Sequence, residues 1–65
     1  MKCNKAAFER FMKLNYHTNA TLAEETGLNI MTVSNIRNGK KEPQARTLKK
    51  LCTALKCEPK DILED

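Results

Sequence analysis

The segment that decides the fold spans residues 18–43 and reads TNATLAEETGLNIMTVSNIRNGKKEP. Thr18 can cap the first turn of a helix and Gly27 can end it, so we predict a helix over Asn19–Thr26. A second helix is predicted over Ile30–Arg37, where apolar residues recur at helical spacing. Because only three residues separate the two, the sequence predicts a helix, a tight turn and another helix.

Four residues specify how these two helices meet. Gly27 suits a position with positive φ just past a helix end, and Asn29 can cap the helix that follows. Leu28 is expected to pack in the angle between the helices, and the small Ala23 allows them to approach closely. The Asn-Gly dipeptide and the proline within residues 38–43 predict a loop after the second helix.

Three further helices are predicted around this pair. A first helix over residues 5–15 has Asn4 as its cap, and a fourth over residues 44–55 has one apolar face. Glu58 followed by Pro59 opens a short fifth helix, and no segment alternates as a strand does. We therefore predict an all-α, compact five-helix fold. The residues expected to face its core are Ala7, Phe8, Phe11, Met12, Leu14, Leu22, Ala23, Val33, Ile36, Leu48, Leu51, Cys52 and Leu55.

Length and composition limit the class of protein. The 65 residues have room for one domain, residues 1–65, and the hydrophobic fraction of 40% is too high for a disordered tail. A core this small is not expected to enclose an active site of several residues. No apolar run is long enough for a signal sequence or a membrane span, so we expect an intracellular protein with no membrane partner.

Positive charge is concentrated in the middle of the chain. The net charge is +4, and residues 29–50 contain six Lys or Arg but a single acidic residue, Glu42. Such a segment attracts polyanions, with nucleic acid favoured over an anionic membrane. A run of charge is also typical of a solvated surface, so charge alone leaves these alternatives open.

The cysteines and the single histidine favour neither a metal site nor catalysis. Cys3, Cys52 and Cys57 are an odd set at irregular spacing, unlike the cysteines of disulfide-rich domains. His17 has no partner at zinc-ligand spacing, and no Ser/His/Asp set or glycine-rich phosphate loop occurs. We expect free thiols, no metal, no cofactor and no enzymatic activity, with Cys52 in the core and Cys3 in a mobile end.

The ordered features of residues 18–43 resemble the lambda repressor and Cro family of helix-turn-helix DNA-binding domains. That family has a Leu-Ala pair, a glycine, a serine-containing recognition helix and a Gly-Lys-basic-x-Pro loop. The corresponding residues here are Leu22-Ala23, Gly27, Ile30–Arg37 and residues 39–43. The similarity covers nearly the whole chain, continuing through Leu48, Leu51, Ala54, Leu55 and Asp61-Ile62-Leu63.

The resemblance implies a helix-turn-helix motif at about residues 19–38, with the third helix in the major groove of DNA. Carried over by position, the base contacts fall on Ile30, Met31 and Asn35. Asn35 can form a bidentate pair with adenine, whereas Ile30 and Met31 offer apolar contact that suits thymine methyl groups. A role for Met31 as a core residue remains the alternative.

Phosphate contacts are expected on either side of the recognition helix. Asn19 stands where the family commonly places Gln at the start of the second helix, and it is the shorter side chain. The backbone amides of Asn38 and Gly39 are expected to be further donors. Lys49 and Lys50 are expected to face solvent. The residues assigned to phosphate contact are Asn19, Thr32, Asn38, Lys40 and Lys41.

The sequence departs from the family pattern at an ion pair between the first and third helices. The family often has Glu where Arg37 stands and Arg where Met12 stands, so the pair is missing at these positions. Met12 is expected to fill the space with apolar contact. Arg37 either turns outward to contact phosphate or a base, or it is a solvated charge or a partner of Glu9 or Glu42.

We predict a sequence-specific transcription regulator, a repressor of the phage or mobile-element kind, that acts by occupying its operator. It would bind double-stranded DNA in the cytoplasm, on the nucleoid, as two copies on a pseudo-palindromic site. Self-contact through the loop before the fourth helix and around Ile62 and Leu63 would give a weak homodimer off DNA. The alternatives are a protein-interaction module of the same fold, such as an antitoxin, and a non-specific nucleic-acid binder.

Overall fold

The computed structural model describes residues 1–64, which form five helices. They are α1 (Lys5–Leu14), α2 (Asn19–Thr26), α3 (Ile30–Arg37), α4 (Ala45–Leu55) and α5 (Pro59–Ile62). The predicted all-α, five-helix fold is confirmed. Both helices of the central motif have the predicted ends, whereas Asn15 and Gln44 lie just outside α1 and α4 as cap residues.

Local signals determine where the helices begin and end. Asn4, Thr18 and Asn29 each accept a hydrogen bond from a backbone N–H of the turn that follows, at 2.8–3.2 Å. Such bonds satisfy amides that a first helical turn leaves without partners. Gly27 ends α2 with φ 74°, in the left-handed region that glycine adopts without strain. The predicted caps and the positive φ are confirmed.

The core lies where the helices pack against one another. α2 packs on α3 and α4, α1 packs on α3 and α5, and α4 packs on α5. Met12 and Cys52 are buried as predicted, and Phe11 and Leu48 are half-buried against the core. The fully buried side chains are Phe8, Leu22, Val33, Ile36, Leu51, Leu55 and Ile62.

The prediction that Leu14 faces the core is wrong. Its residue is 66% exposed. At about 100° per residue, Leu14 lies about 160° around the helix from Met12 and therefore on the opposite side of α1. Only the stripe containing Phe8 and Met12 is covered by the other helices.

The segment before α1 is held by backbone pairing, so the expectation that Cys3 lies in a mobile end is wrong. Cys3 forms an antiparallel bridge with Leu63 and is 2% exposed. The N–H of Asn4 also donates to the carbonyl of Ile62 at 2.6 Å. Ile62 is fully buried in the core, so it does not supply the surface contact between copies that the sequence predicts; Leu63 is half-buried.

Asn15 joins the ends of α1 and α4. Its Nδ2 donates to the carbonyls of Phe11 at 2.8 Å and Leu55 at 2.7 Å. Leu55 is the last residue of α4, where carbonyls lack intrahelical partners, so Asn15 satisfies one of them. Within residues 1–64, no helix has the length and apolar character needed to cross a bilayer.

Candidate nucleic-acid interface

α3 has one buried side and one exposed side. Val33 and Ile36 anchor it in the core, whereas Ile30 and Met31 are 47% and 64% exposed. Met31 is therefore exposed, and the alternative interpretation of this methionine as a core residue is wrong. Asn35 is half-buried, and its side chain has no hydrogen-bond partner among residues 1–64.

A glycine turn folds the next loop against the end of α3. Gly39 has φ 74°, its N–H donates to the carbonyl of Ile36 at 3.1 Å, and the N–H of Lys40 donates to that of Asn35 at 2.9 Å. These are the two bonds of a Schellman motif. The motif places Lys40 and Lys41 directly beside the last turn of α3, where both are exposed.

The backbone amides of Asn38 and Gly39, from which the sequence predicts phosphate contacts, are hydrogen-bonded within the chain. The N–H of Asn38 donates to the carbonyl of Ser34 at 3.0 Å, and the N–H of Gly39 is used by the Schellman motif. Both amides are therefore occupied within the chain. The exposed side chain of Asn38 is the group that this residue can offer to a ligand.

The positive charges of this loop are not neutralised within the described part of the chain. Neither Lys40 nor Lys41 takes part in the ion pairs found among residues 1–64. Glu42, the acidic residue of the same loop, lies 3.0 Å from the terminal amine of Met1 instead. Both ammonium groups are thus open to an external anion. Lys49 and Lys50 on α4 are exposed, as expected.

The start of α2 and the first turn of α3 position the other two residues assigned to phosphate. Asn19 is the first residue of α2, and Thr32 lies in the first turn of α3; both are half-buried. The amides of Asn19 and Ala20 have no intrahelical acceptor, as at any helix start. Asn19 Oδ1 accepts a hydrogen bond from Arg37 Nη1 at 2.9 Å.

Arg37 links α3 to α1 as well as to α2. Its Nε and Nη2 lie 2.9 Å and 2.8 Å from Glu9 Oε2. Of the alternative roles predicted for Arg37, the structure therefore shows the ion pair with Glu9. An ion pair does join the first and third helices, with the acid on α1 and the base on α3, while Met12 fills the neighbouring space as predicted.

The three cysteines are free thiols. Cys52 and Cys57 lie on either side of the turn that ends α4. Lys56 has φ 55°, and the N–H of Cys57 donates to the carbonyl of Cys52 at 3.0 Å, which holds the two residues close together. Burial raises the pKa of Cys3 to about 11 and that of Cys57 to about 12, and it also raises the pKa of Cys52. In residues 1–64, no three His, Cys, Asp or Glu side chains are placed to hold a metal ion.

A surface groove of about 610 Å³ lies at the junction of α4 and α5. Leu48, Cys52 and Pro59 are among its lining residues, together with the charged Lys49 and Asp61. None of the residues assigned to bases or phosphates lines it. The candidate interface is therefore the surface formed by α3, the following loop and the start of α2, and the groove lies outside it.

Comparison with known families agrees with this geometry. A family model described as a Cro/C1-type HTH DNA-binding domain matches residues 8–65. The chain belongs to this family. The Cro/C1-type family is defined by DNA binding, so the protein-interaction alternative is not favoured.

One relative of this Cro/C1-type chain is the uncharacterized HTH-type transcriptional regulator YozG of Bacillus subtilis strain 168. The two are 43% identical over 44 residues, which are 66% of this chain and 52% of YozG. The chain thus spans about half the length of this curated relative. The match agrees with the assignment of this chain to the HTH family.

Two solved structures share the fold of this Cro/C1-type domain. The restriction-modification controller protein C.AhdI from Aeromonas hydrophila is 24% identical, with a TM-score of 0.78 over 88% of this chain and 86% of that chain. PhpD, in a structure with cadmium atoms, is 20% identical, with a TM-score of 0.80 over all of this chain and 14% of its own. At these identities the likeness concerns the fold alone.

Proposed function

We propose that this Cro/C1-type domain is a sequence-specific regulator of transcription that binds double-stranded DNA with α3 in the major groove. The observation that carries the proposal is the exposure of Ile30 and Met31 on a helix whose other side is buried, beside an Asn35 side chain that has no hydrogen-bond partner among residues 1–64. A major groove about 12 Å wide admits one such helix.

The exposed residues of α3 match the chemistry of an A·T-containing site. The amide of Asn35 carries a donor and an acceptor side by side, as needed to pair with N7 and N6 of adenine. Ile30 and Met31 offer apolar surface, which favours contact with the methyl group of thymine. These three residues would read the base edges.

Residues that flank α3 would hold the DNA backbone. Lys40 and Lys41 are exposed ammonium groups without an ion-pair partner in the described part of the chain, and each phosphate that they neutralise releases condensed counterions. Asn19, Thr32 and the side chain of Asn38 would donate hydrogen bonds to phosphate oxygens, which fix the position of the helix without reading sequence.

The mechanism that we propose is repression by occupancy. Two copies on a pseudo-palindromic operator would block RNA polymerase or a competing regulator from overlapping DNA. Such a protein would act on the nucleoid in the cytoplasm of a bacterium, whether the host or a phage encodes it. Non-specific DNA binding is the alternative that the experiment must separate.

Selection of bound duplexes from a random pool tests the proposal. We expect an enriched motif with two half-sites related by an approximate two-fold axis, about one helical turn or 34 Å apart. The selected duplex should bind on the order of a thousandfold more tightly than a scrambled one, as specific complexes do. Enrichment of no motif, with equal binding to both duplexes, would contradict the proposal.

A reporter assay then tests the sign of regulation. With the selected site placed over a promoter, expression of the protein should lower transcription, while a scrambled site in the same place should leave it unchanged. Increased transcription from the selected site would contradict repression but not sequence-specific binding.

A further inference from the structure

Arg37 touches two groups at once, and only one of them is an ion-pair partner. Nε and Nη2 bind Glu9 Oε2, while Nη1 donates to Asn19 Oδ1 at 2.9 Å. The carboxylate of Glu9 offsets the guanidinium charge. One N–H of the third nitrogen in the planar fork, Nη1, is directed at a neutral amide at the start of α2.

The contact fixes which end of the Asn19 amide faces the guanidinium. Arginine has donors and no acceptor, so it can bind Oδ1 and cannot bind Nδ2. Because Oδ1 and Nδ2 project in different directions from the same planar carbon, Nδ2 is turned away from Arg37. Nδ2 has no partner among residues 1–64, and none of their buried side-chain nitrogens lacks one, so Nδ2 is open to solvent.

The direction of Nδ2 decides whether Asn19 attracts or repels a phosphate. With Nδ2 outward, Asn19 adds a third N–H to the two amides of the first turn of α2, all of them donors toward an anion. With Oδ1 outward, the same residue would present a partial negative charge. An unrestrained amide would adopt both orientations and would lose part of this attraction.

We infer that Arg37 is a positioning residue for DNA binding: paired with Glu9, it holds the Asn19 amide so that Nδ2 donates to a backbone phosphate. This inference rests on the proposed function. In this role Arg37 acts through Asn19: its charge is offset by Glu9, and each of its three nitrogens already donates a hydrogen bond to Glu9 or Asn19.

A double-mutant cycle on the selected operator tests this role. The double substitution Glu9→Gln with Arg37→Met removes the donor to Asn19 and leaves the net charge unchanged. We expect Asn19→Ala to weaken binding about tenfold in the wild-type background, the size typical of a charge-assisted hydrogen bond. In the Glu9→Gln, Arg37→Met background the same substitution should weaken binding less than about threefold. Equal losses in the two backgrounds would overturn the inference.

The salt dependence of binding separates positioning from direct contact. If Arg37 does not contact phosphate, the two substitutions remove no charged group from the DNA interface. The slope of log K against log[salt] should then be the same for wild type and for the Glu9→Gln, Arg37→Met variant. A direct contact from Arg37 to phosphate would instead lower the slope by about 0.9 in the variant and would overturn the inference.

Arg37→Lys provides a second variant in case the double substitution fails to fold. A single ammonium keeps the charge next to Glu9, but it lacks the planar fork that bonds Glu9 and Asn19 simultaneously. The effect of Asn19→Ala should again be reduced in this background, with thermal unfolding used to confirm that all proteins are folded at the assay temperature. Failure of wild type to select DNA would refute the proposed function, whereas sequence-specific binding with an undiminished effect of Asn19→Ala would refute the inference alone.

Discussion

Asn35 is the residue whose replacement should most clearly separate specific from general DNA binding. Its side chain makes no internal hydrogen bond among the described residues, so truncation should not disturb the fold. We expect Asn35→Ala to cost about 1–3 kcal/mol on the selected site and much less on scrambled DNA, because only a matched adenine bonds the amide. Fluorescence anisotropy with both duplexes provides the measurement.

The matched control for Asn35→Ala is Glu24→Ala, an exposed position on α2 that is assigned to no contact. This control should change binding to the two duplexes equally, if at all. Equal losses on both duplexes for Asn35→Ala would mean that α3 does not read a base at this position.

Buried thiols make stability depend on pH in the alkaline range. Burial raises the pKa of Cys3 to about 11 and that of Cys57 to about 12, above the ordinary value of 9.0. Below about pH 9 the thiols are protonated in both states. Above it the unfolded chain loses these protons first, so the free energy of unfolding should fall as pH rises from about 9 toward 12.

Urea unfolding between pH 8 and pH 11 measures this dependence. The Cys57→Ala variant should lose less stability over that interval than wild type, since one of the shifted groups is gone. The rest of the chain is the same in both proteins, so the difference between the two slopes isolates the thiol. Identical slopes would show that Cys57 ionises equally in the folded and unfolded states.

At the scale of an element, the loop after α3 is expected to attract DNA of any sequence, whereas α3 is expected to recognise particular bases. Lys40 and Lys41 are exposed and lack internal ion pairs in the described chain, and Gly39 holds the loop against α3. We expect Lys40→Ala with Lys41→Ala to weaken binding to all duplexes alike. The magnitude of the slope of log K against log[salt] should fall by about two units, since each contact that is lost leaves about 0.9 counterions on the DNA.

Lys49 and Lys50 provide the matched control for this pair of substitutions. They are also adjacent exposed lysines, but they lie on α4, away from the candidate interface. Replacing both by alanine changes the net charge by the same amount and should leave the salt slope nearly unchanged. If both double variants lower the slope equally, the lysines act through net charge and not through contacts of the loop.

At the scale of the whole molecule, the two copies that a pseudo-palindromic site requires have little surface with which to hold each other in solution. Ile62 is buried, and Leu63 is half-buried in the pairing with Cys3. We predict that the free dimer buries less than the roughly 1,200 Å² of a stable interface, so that association is weak and cooperativity emerges on DNA.

Sedimentation velocity over nanomolar to micromolar concentrations tests this prediction, and binding to duplexes with one or two half-sites measures the cooperativity. Monomers should dominate in solution, and the second copy should bind the two-site duplex more tightly than the first. A dimer that persists at nanomolar concentration would refute weak association.

Much of the architecture follows from signals within a few residues of one another. The caps Asn4, Thr18 and Asn29 and the stop at Gly27 form hydrogen bonds or backbone angles inside one turn, so their effect does not depend on the rest of the chain. Helical spacing likewise places Val33 and Ile36 on one side of α3, and that side is buried. For this reason the ends of α2 and α3 were predictable.

The sequence by itself therefore determined the five helices, the side of α3 that is buried and the candidate base-contacting residues on the other side. Only the tertiary structure decided the partners of Arg37, because Glu9 and Asn19 lie 28 and 18 residues away and no local pattern connects them. It also decided that Cys3 is buried, since Leu63 supplies the bridge from the other end of the described chain. Contacts of this kind depend on how packed helices bring distant residues together, and that arrangement is set by the whole core.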